Sequence, residues 1–275
     1  MGKAIVKRRV ARVFGLGLWL MGGSAALAAS CGDTAEGFES WKAAFAREAA
    51  AEGVGARGLQ ALGGARYATR TIAADRNQKS FRYSLEKFMQ IRGADTIVAQ
   101  GRKRRARDAA FYNALERQYG VPAGILIAIH GMETAFGGFM GDTSVVSAIV
   151  TLTYDCRRSD FFRPHAIGAL KLVDRGSITG QTKGARHGEL GHTQFLPGNA
   201  LRYGVDGNGD GRVDLYNLTD AMASTAHFLR QKGWHPGMGY AEGQPNFAVI
   251  EQWNAATVYQ QAIARMAARI DGSGS

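Results

Sequence analysis

One carboxylate stands apart in this 275-residue chain. The stretch GILIAIHGMETAFGGFMGD, Gly124 to Asp142, is almost wholly apolar up to Glu133, and small residues and glycines follow it. Burying an acid at the end of such a helix disfavours its charged form, raises its pKa and suits it to donate a proton near neutrality. Cleavage of a glycosidic bond needs such a neutral acid beside the leaving oxygen. Most glycosidases also use a second carboxylate as nucleophile or base. Asp142 and Asp155 are the nearest candidates, and neither has an evident pairing with Glu133 in the sequence. The plainer reading, a solvated helix end, stays open on spacing alone.

A second constellation is GELGHTQFLP, Gly188 to Pro197, which mixes glycines, an amide, an aromatic and a proline in ten residues. That composition suits a cleft wall where backbone approaches a ligand, with Gln194 as a hydrogen-bonding side chain; an ordinary loop has the same composition. A third is DGNGDGRVD, which sets Asp206, Asn208 and Asp210 at positions one, three and five of an EF-hand-like loop. Gly211 then falls at six, the Arg212 carbonyl at seven and Asp214 at nine, but position twelve is Asn217 rather than a bidentate Glu. Either a weak calcium site or a glycine-rich turn without metal fits this pattern. Histidines offer a further chemistry, a metal-dependent protease or amidase built on His130, Glu133, His165, His187 and His192. No H-E-x-x-H is present, and these histidines share no ligand spacing.

The elements that must position these groups are mostly helices. Phe38, Trp41, Phe45 and Ala49 recur at three- and four-residue steps, and Gly53 ends the pattern. Phe111, Leu115 and Tyr119 do the same, with Gly120 as a C-terminal stop and Pro122 opening the next helix. That next helix, PAGILIAIHGM, is apolar on every face and should be buried at the centre of the domain. Further helices are legible in RPHAIGALKLVDRG, in TDAMASTAHFLRQKG with Thr219 as its cap and Gly233 as its stop, and in NAATVYQQAIARMAARI with Asn254 as its cap. The best strand pattern is FAVIEQW, Phe247 to Trp253. The chain reads as a single, mainly α domain.

The N-terminus reads as a secretory signal over residues 1–28. Lys3, Lys7, Arg8, Arg9 and Arg12 precede the short apolar core VFGLGLWLM, and Ala26 and Ala28 are placed for an A-x-A cleavage site. The apolar part falls well short of the roughly 20 residues a membrane span needs, so no integral span is expected after cleavage. The formal net charge is +11, and the first 30 residues hold five basic and no acidic groups, which leaves +6 for the mature chain. For an exported protein that surplus points to acidic wall polymers or membrane surfaces rather than nucleic acid. The basic run GRKRRAR, Gly101 to Arg107, has no interleaved aromatics and reads as a solvated helix face. Cys31 and Cys156 both survive cleavage and are expected to form one disulfide; the rival is a lipid on Cys31, after LAAS, which would leave Cys156 unpaired.

Four blocks together, GVPAGILIAIHGMETAFGGFMGD, TLTYDCRR, GELGHTQFLP and YGVDGNGDGRVDLYNLTDAMASTAHFLRQKGW, closely resemble the lytic murein transglycosylases of the membrane-bound transglycosylase B type, in order and in spacing. The likeness runs from about Phe38 to Ile270, and four blocks in register are highly specific. The resemblance implies a lysozyme-like, mainly α fold with little β structure over residues 31–275. It also implies cleavage of the β-1,4 bond between N-acetylmuramic acid and N-acetylglucosamine without added water. Glu133 matches the family's single catalytic acid, which protonates the glycosidic oxygen and then takes the proton of the muramyl C6 hydroxyl as a 1,6-anhydro end forms. The internal hydroxyl, held at high effective molarity, makes a second protein carboxylate dispensable.

By the same matching, Gln194, Asn254 and Tyr259 correspond to cleft residues, and Arg157 and Arg158 to a basic pair expected to meet the acidic peptide stem. Asp220 is the acid the family has beyond the loop, and with Asp206, Asn208, Asp210 and the Arg212 carbonyl it completes the possible calcium set. No cofactor is implied for the chemistry. Peptidoglycan glycan strands are the implied partner, and the chain is expected to act as a monomer in the periplasm. The chain departs from the pattern at His130, at His192 and at Phe161, where a hydrophobic or aromatic residue, a residue other than histidine, and a tyrosine are expected respectively. A wall-binding protein that keeps the fold without catalysis is the other reading of the same blocks.

Overall fold

The computed structural model describes residues 30–77 and 83–272; the expected leader, 1–28, lies outside them. Helices dominate, in the order α1 (Phe38–Ala51), α2 (Ala56–Gly63), α3 (Thr69–Arg76), α4 (Leu85–Ile91), α5 (Ala94–Arg107), α6 (Ala109–Tyr119) and α7 (Ala123–Thr134). After the two-residue strand β1 (Thr143–Ser144) come α8 (Val145–Tyr154) and α9 (Ser159–Arg175). Strand β2 (Lys183–Gly184) precedes α10 (Pro197–Tyr203), α11 (Leu218–Gln231), α12 (Phe247–Glu251) and α13 (Thr257–Asp271). The two strands pair antiparallel, Thr143 opposite Gly184.

The all-apolar sequence of α7 places it at the centre. Every one of its residues is buried except Glu133. Helices α5 and α13 flank it closely because two glycines let the backbones approach. A Cβ on Gly101 would stand 2.8 Å from Ile127 Cγ2, and one on Gly124 would stand 2.5 Å from the Ala267 carbonyl. Pro122 gives α7 no side-chain cap, and the end of α13 supplies one instead. Asp271 Oδ1 accepts the Gly124 N–H at 2.9 Å. The second layer is the α8–α9 pair, with α2 and α10 packed on α9.

The predicted amphipathic faces are those that pack. Phe38, Trp41, Phe45 and Ala49 are buried on α1, and Trp41 stacks on Phe45 at 4.7 Å. On α6, Tyr112 is buried with Leu115 and Tyr119, while Phe111 is only partly covered. Gly120 takes the left-handed conformation its capping role requires, φ 71°. Cys31 is bonded to Cys156, 125 residues away, which ties the start of the described chain to the turn before α9.

Several boundaries differ from expectation. FAVIEQW folds as the short helix α12, not a strand: Val249 and Ile250 are adjacent on its buried side, so the alternation reflected one turn of helix. Asn217 rather than Thr219 caps α11, its side chain accepting the Thr219 N–H at 2.8 Å. Asn254 does not cap α13; Ala256 holds that position, and Asn254 Oδ1 accepts the Ala256 N–H at 3.0 Å. Helix α9 begins four residues before Arg163 and carries Pro164 inside it. The carbonyl that Pro164 leaves without a helical partner belongs to Asp160, which is exposed to water.

Candidate active site

Glu133 sits in the last turn of α7, where the helix leaves the core. Behind it the chain turns through three consecutive left-handed residues, Ala135 (φ 48°), Phe136 (φ 62°) and Gly137 (φ 84°). Gln194 (φ 58°) is the remaining non-glycine residue of positive φ among those described. Backbone strain is thus confined to the two segments that present Glu133 and Gln194, as is common where a site needs side chains held in unusual directions.

Two donors reach Glu133. Tyr259, buried at the start of α13, donates its hydroxyl to Oε1 at 2.5 Å, and Trp253 Nε1 donates to the same oxygen at 3.3 Å. Trp253 is itself fixed edge-on against Phe195 and Phe228, with ring centroids 5.0 and 5.3 Å away. Burial pushes the Glu133 pKa up to about 7; the Tyr259 and Trp253 hydrogen bonds and Arg92 pull it down, and a second carboxylate, Glu189, pushes it further up. A carboxyl that ionises near neutrality can give a proton and take one back under the same conditions.

The GELGHTQFLP segment forms the facing wall. Leu190 and Phe195 exchange backbone hydrogen bonds of 2.9 and 3.0 Å, which closes a tight turn over Gly191 and Gln194. Gln194 Nε2 donates to the Gly191 carbonyl at 2.8 Å, so the amide is held across the turn. Thr193 is buried and bonded to Thr225 of α11 at 3.0 Å, and the His192 N–H is donated to the Leu215 carbonyl. Between α7 and this turn lies an open cleft of about 510 Å³ that brings together Glu133, Gln194 and Asn254 with Arg92, Glu189 and Trp253.

His130 points away from this chemistry. It is buried on α7 with Nε2 3.0 Å from His192 Nδ1 and its ring edge-on to Phe136. Burial, then His192 and Arg104, lower its pKa to about 3, so the pair is neutral and links α7 to the facing turn. Thr134 reinforces that link by donating to the His192 carbonyl at 2.7 Å.

The other predicted residues lie elsewhere. Arg157 and Arg158 do not line the cleft. Arg157 Nε donates to the buried Asp75 at 2.7 Å, and Arg158 stands 3.6 Å from the same carboxylate with its guanidinium over Phe161, 4.5 Å from the ring centroid. Asp155 is buried and paired with Arg76 at 2.7 Å, and Asp142 is exposed and paired with Arg70, so neither is the partner carboxylate. The second carboxylate in the cleft is Glu189, whose only local signal is an acid inside a glycine-bounded turn. Arg92 ends a short helix and has no local signal.

The 206–220 loop folds around its own amides. Asp206 accepts the Gly209 and Gly211 N–H groups, each at 2.7 Å. The buried Asp220 accepts those of Gly207 at 3.0 Å, Asn208 at 3.2 Å and Asp214 at 2.8 Å. Among the described residues no three His, Cys, Asp or Glu side chains converge as a metal would need. Asp220, expected as the closing calcium ligand, instead has both oxygens turned to backbone donors, so the loop as folded does not fit a ready-made calcium site.

The Transglycosylase SLT domain model matches residues 37–244. The chain belongs to that family. This transglycosylase domain is 34% identical, over 137 residues, to the membrane-bound lytic murein transglycosylase B of Escherichia coli strain K12. The aligned part is 46% of this chain and 38% of the relative, so the chain spans well under half the length of that relative. The fold is also similar to SltB3 of Pseudomonas aeruginosa, solved with a NAG-NAM-pentapeptide, at a TM-score of 0.79 and 26% identity over 86% of this chain and 80% of that one. It is similar again to the Escherichia coli lytic transglycosylase Slt35 in complex with calcium, at a TM-score of 0.74 and 21% identity over 91% and 98%. The lysozyme-like, mainly α transglycosylase fold expected from the sequence is therefore the fold this chain has.

Proposed function

We propose that this domain is a peptidoglycan lytic transglycosylase with Glu133 as its acid and then its base. The observation that carries the reading is a single carboxyl at the end of the buried central helix, open to a glycan-sized cleft and poised to ionise near pH 7. Protonated Glu133 gives its proton to the glycosidic oxygen as the C1–O bond breaks. The carboxylate then takes the proton of the muramyl C6 hydroxyl as that oxygen bonds to C1. Atoms balance without water, and Glu133 returns to its starting form. Tyr259 and Trp253 donate to Oε1 in both halves and limit the cost of its charged state. Gln194 and Asn254 are assigned to holding the glycan in the cleft.

The test is the mass of muropeptides released from purified peptidoglycan. Anhydro products that vanish in Glu133→Gln support the assignment. Glu189 favours a second reading, hydrolysis with two carboxylates; products uniformly heavier by one water would establish that one instead. Binding to sacculi with no released product would mark a non-catalytic wall-binding protein.

Export to the periplasm, action as a monomer and peptidoglycan strands as partner belong to the same proposal. No helix among the described residues is long and apolar enough to cross a membrane. Calcium is assigned to no chemical step; weak binding in the 206–220 loop would need Asp206, Asn208 and Asp210 to turn from the loop's amides toward the ion.

A further inference from the structure

The cleft contains an acid that the proposed reaction leaves unused. Glu189 immediately precedes the tight turn that carries Gln194 and shares the cleft with Glu133. Its carbonyl accepts the Ala185 N–H at 2.9 Å, and the Leu190–Phe195 pair closes the chain just beyond it, so the residue is pinned on both sides. Its carboxylate nonetheless has unused capacity. Oε2 is enclosed and accepts no hydrogen bond from any described residue, His187 Nδ1 stands 3.9 Å from Oε1, and the side chain keeps 26% of its surface exposed. A carboxylate that is partly open to a cleft and short of donors has room to accept a hydrogen bond from a bound ligand.

We propose that Glu189 is a substrate-binding carboxylate, its cleft-facing side accepting a hydrogen bond from a hydroxyl or acetamido N–H of the sugar seated beside Glu133. This rests on the reading of Glu133 as the acid of a glycan-cleaving site. The same charge has a second effect, since two carboxylates in one desolvated cleft do not ionise together readily and Glu189 thereby favours the protonated form of Glu133. The charged and titratable groups around the pair are Tyr259 from α13 and Arg92 at the end of α4, beside Glu133, His187 and Arg158, beside Glu189, and Arg186, which lines the same cleft.

Glu189→Gln keeps the shape and removes the charge. With a soluble tetrasaccharide of alternating N-acetylglucosamine and N-acetylmuramic acid, KM should rise roughly tenfold, the loss expected for one hydrogen bond to a charged group. The alkaline limb of kcat/KM should also move to lower pH, because Glu133 then ionises sooner. Glu189→Asp keeps the charge but shortens the reach, so its limb should stay near that of the parent while KM stays raised. Calorimetric binding of the same tetrasaccharide to Glu133→Gln, with and without Glu189→Gln, reads the contact free of turnover, and thermal melts show that each variant is folded. Unchanged KM, limb and binding in folded Glu189→Gln would overturn the proposal while leaving the acid assignment standing. An active Glu133→Gln overturns the acid assignment instead, whatever Glu189 does.

Discussion

Tyr259 donates its hydroxyl to Glu133 Oε1 at 2.5 Å across 126 residues of sequence. This bond favours the carboxylate and opposes the burial that favours the acid. Tyr259→Phe should therefore raise the Glu133 pKa above about 7 and move the alkaline limb of kcat/KM upward, the opposite direction to Glu189→Gln. It should also lower kcat, since the conjugate base formed midway loses its strongest donor. A pH–rate profile of the variant checks both effects.

Glu133→Gln should reduce turnover by roughly 10²- to 10⁴-fold, the usual range for loss of a general acid. Its effect on stability has the opposite sign. A group whose folded pKa is raised stabilises fully below its unfolded pKa, near 4.5, and that contribution is lost as pH rises through about 7. At pH 8 the native protein must bury a charge that glutamine does not carry. Melting of the variant should therefore match the parent at pH 4 and exceed it at pH 8, by up to about 2 kcal/mol given that the side chain is only partly exposed.

Reduction of Cys31–Cys156, or Cys156→Ala, should cost roughly 2–5 kcal/mol, because the bond closes a long loop. Denaturant melts with and without reductant measure this. A free, acylated Cys31 in mature protein isolated from cells would contradict the pairing.

Asp220→Ala should destabilise the domain by about 3 kcal/mol or more, since three backbone N–H groups lose their acceptor at a buried position. If the loop takes up calcium, millimolar calcium should raise the melting temperature of the parent, and Asp206→Ala should abolish that response. Identical melts in calcium and in chelator exclude the site.

Arg157→Ala should lower stability by about 2 kcal/mol through the buried Asp75, with KM for a glycan lacking peptide unchanged. A large rise in KM confined to substrates that carry the stem would restore the peptide-binding role.

Periodicity and composition marked the helices that matter and singled out Glu133. Period-3.6 burial marked α1 and α6, an unbroken apolar run marked α7 as central, and a lone carboxylate at its end was legible because burial and charge conflict there. Two cysteines in a chain expected to be exported were enough to indicate their pairing. Helix starts were less legible: Pro164 lies inside α9, Asn217 and Thr219 are both good caps for α11, and α13 starts from Ala256, which has no capping side chain. What surrounds Glu133 follows from how distant helices pack. Trp253 and Tyr259 come from the last quarter of the sequence, Arg92 from the end of a short helix, and Glu189 from beside the turn that carries Gln194. The same packing turned His130 toward His192 and Arg157 toward Asp75. Periodicity reports which face of an element is buried, because that follows from local geometry. Which charges and donors meet across a cleft depends on how whole helices cross, and close crossings such as Gly101 on Ile270 and Gly124 on Ala267 join residues more than 140 positions apart.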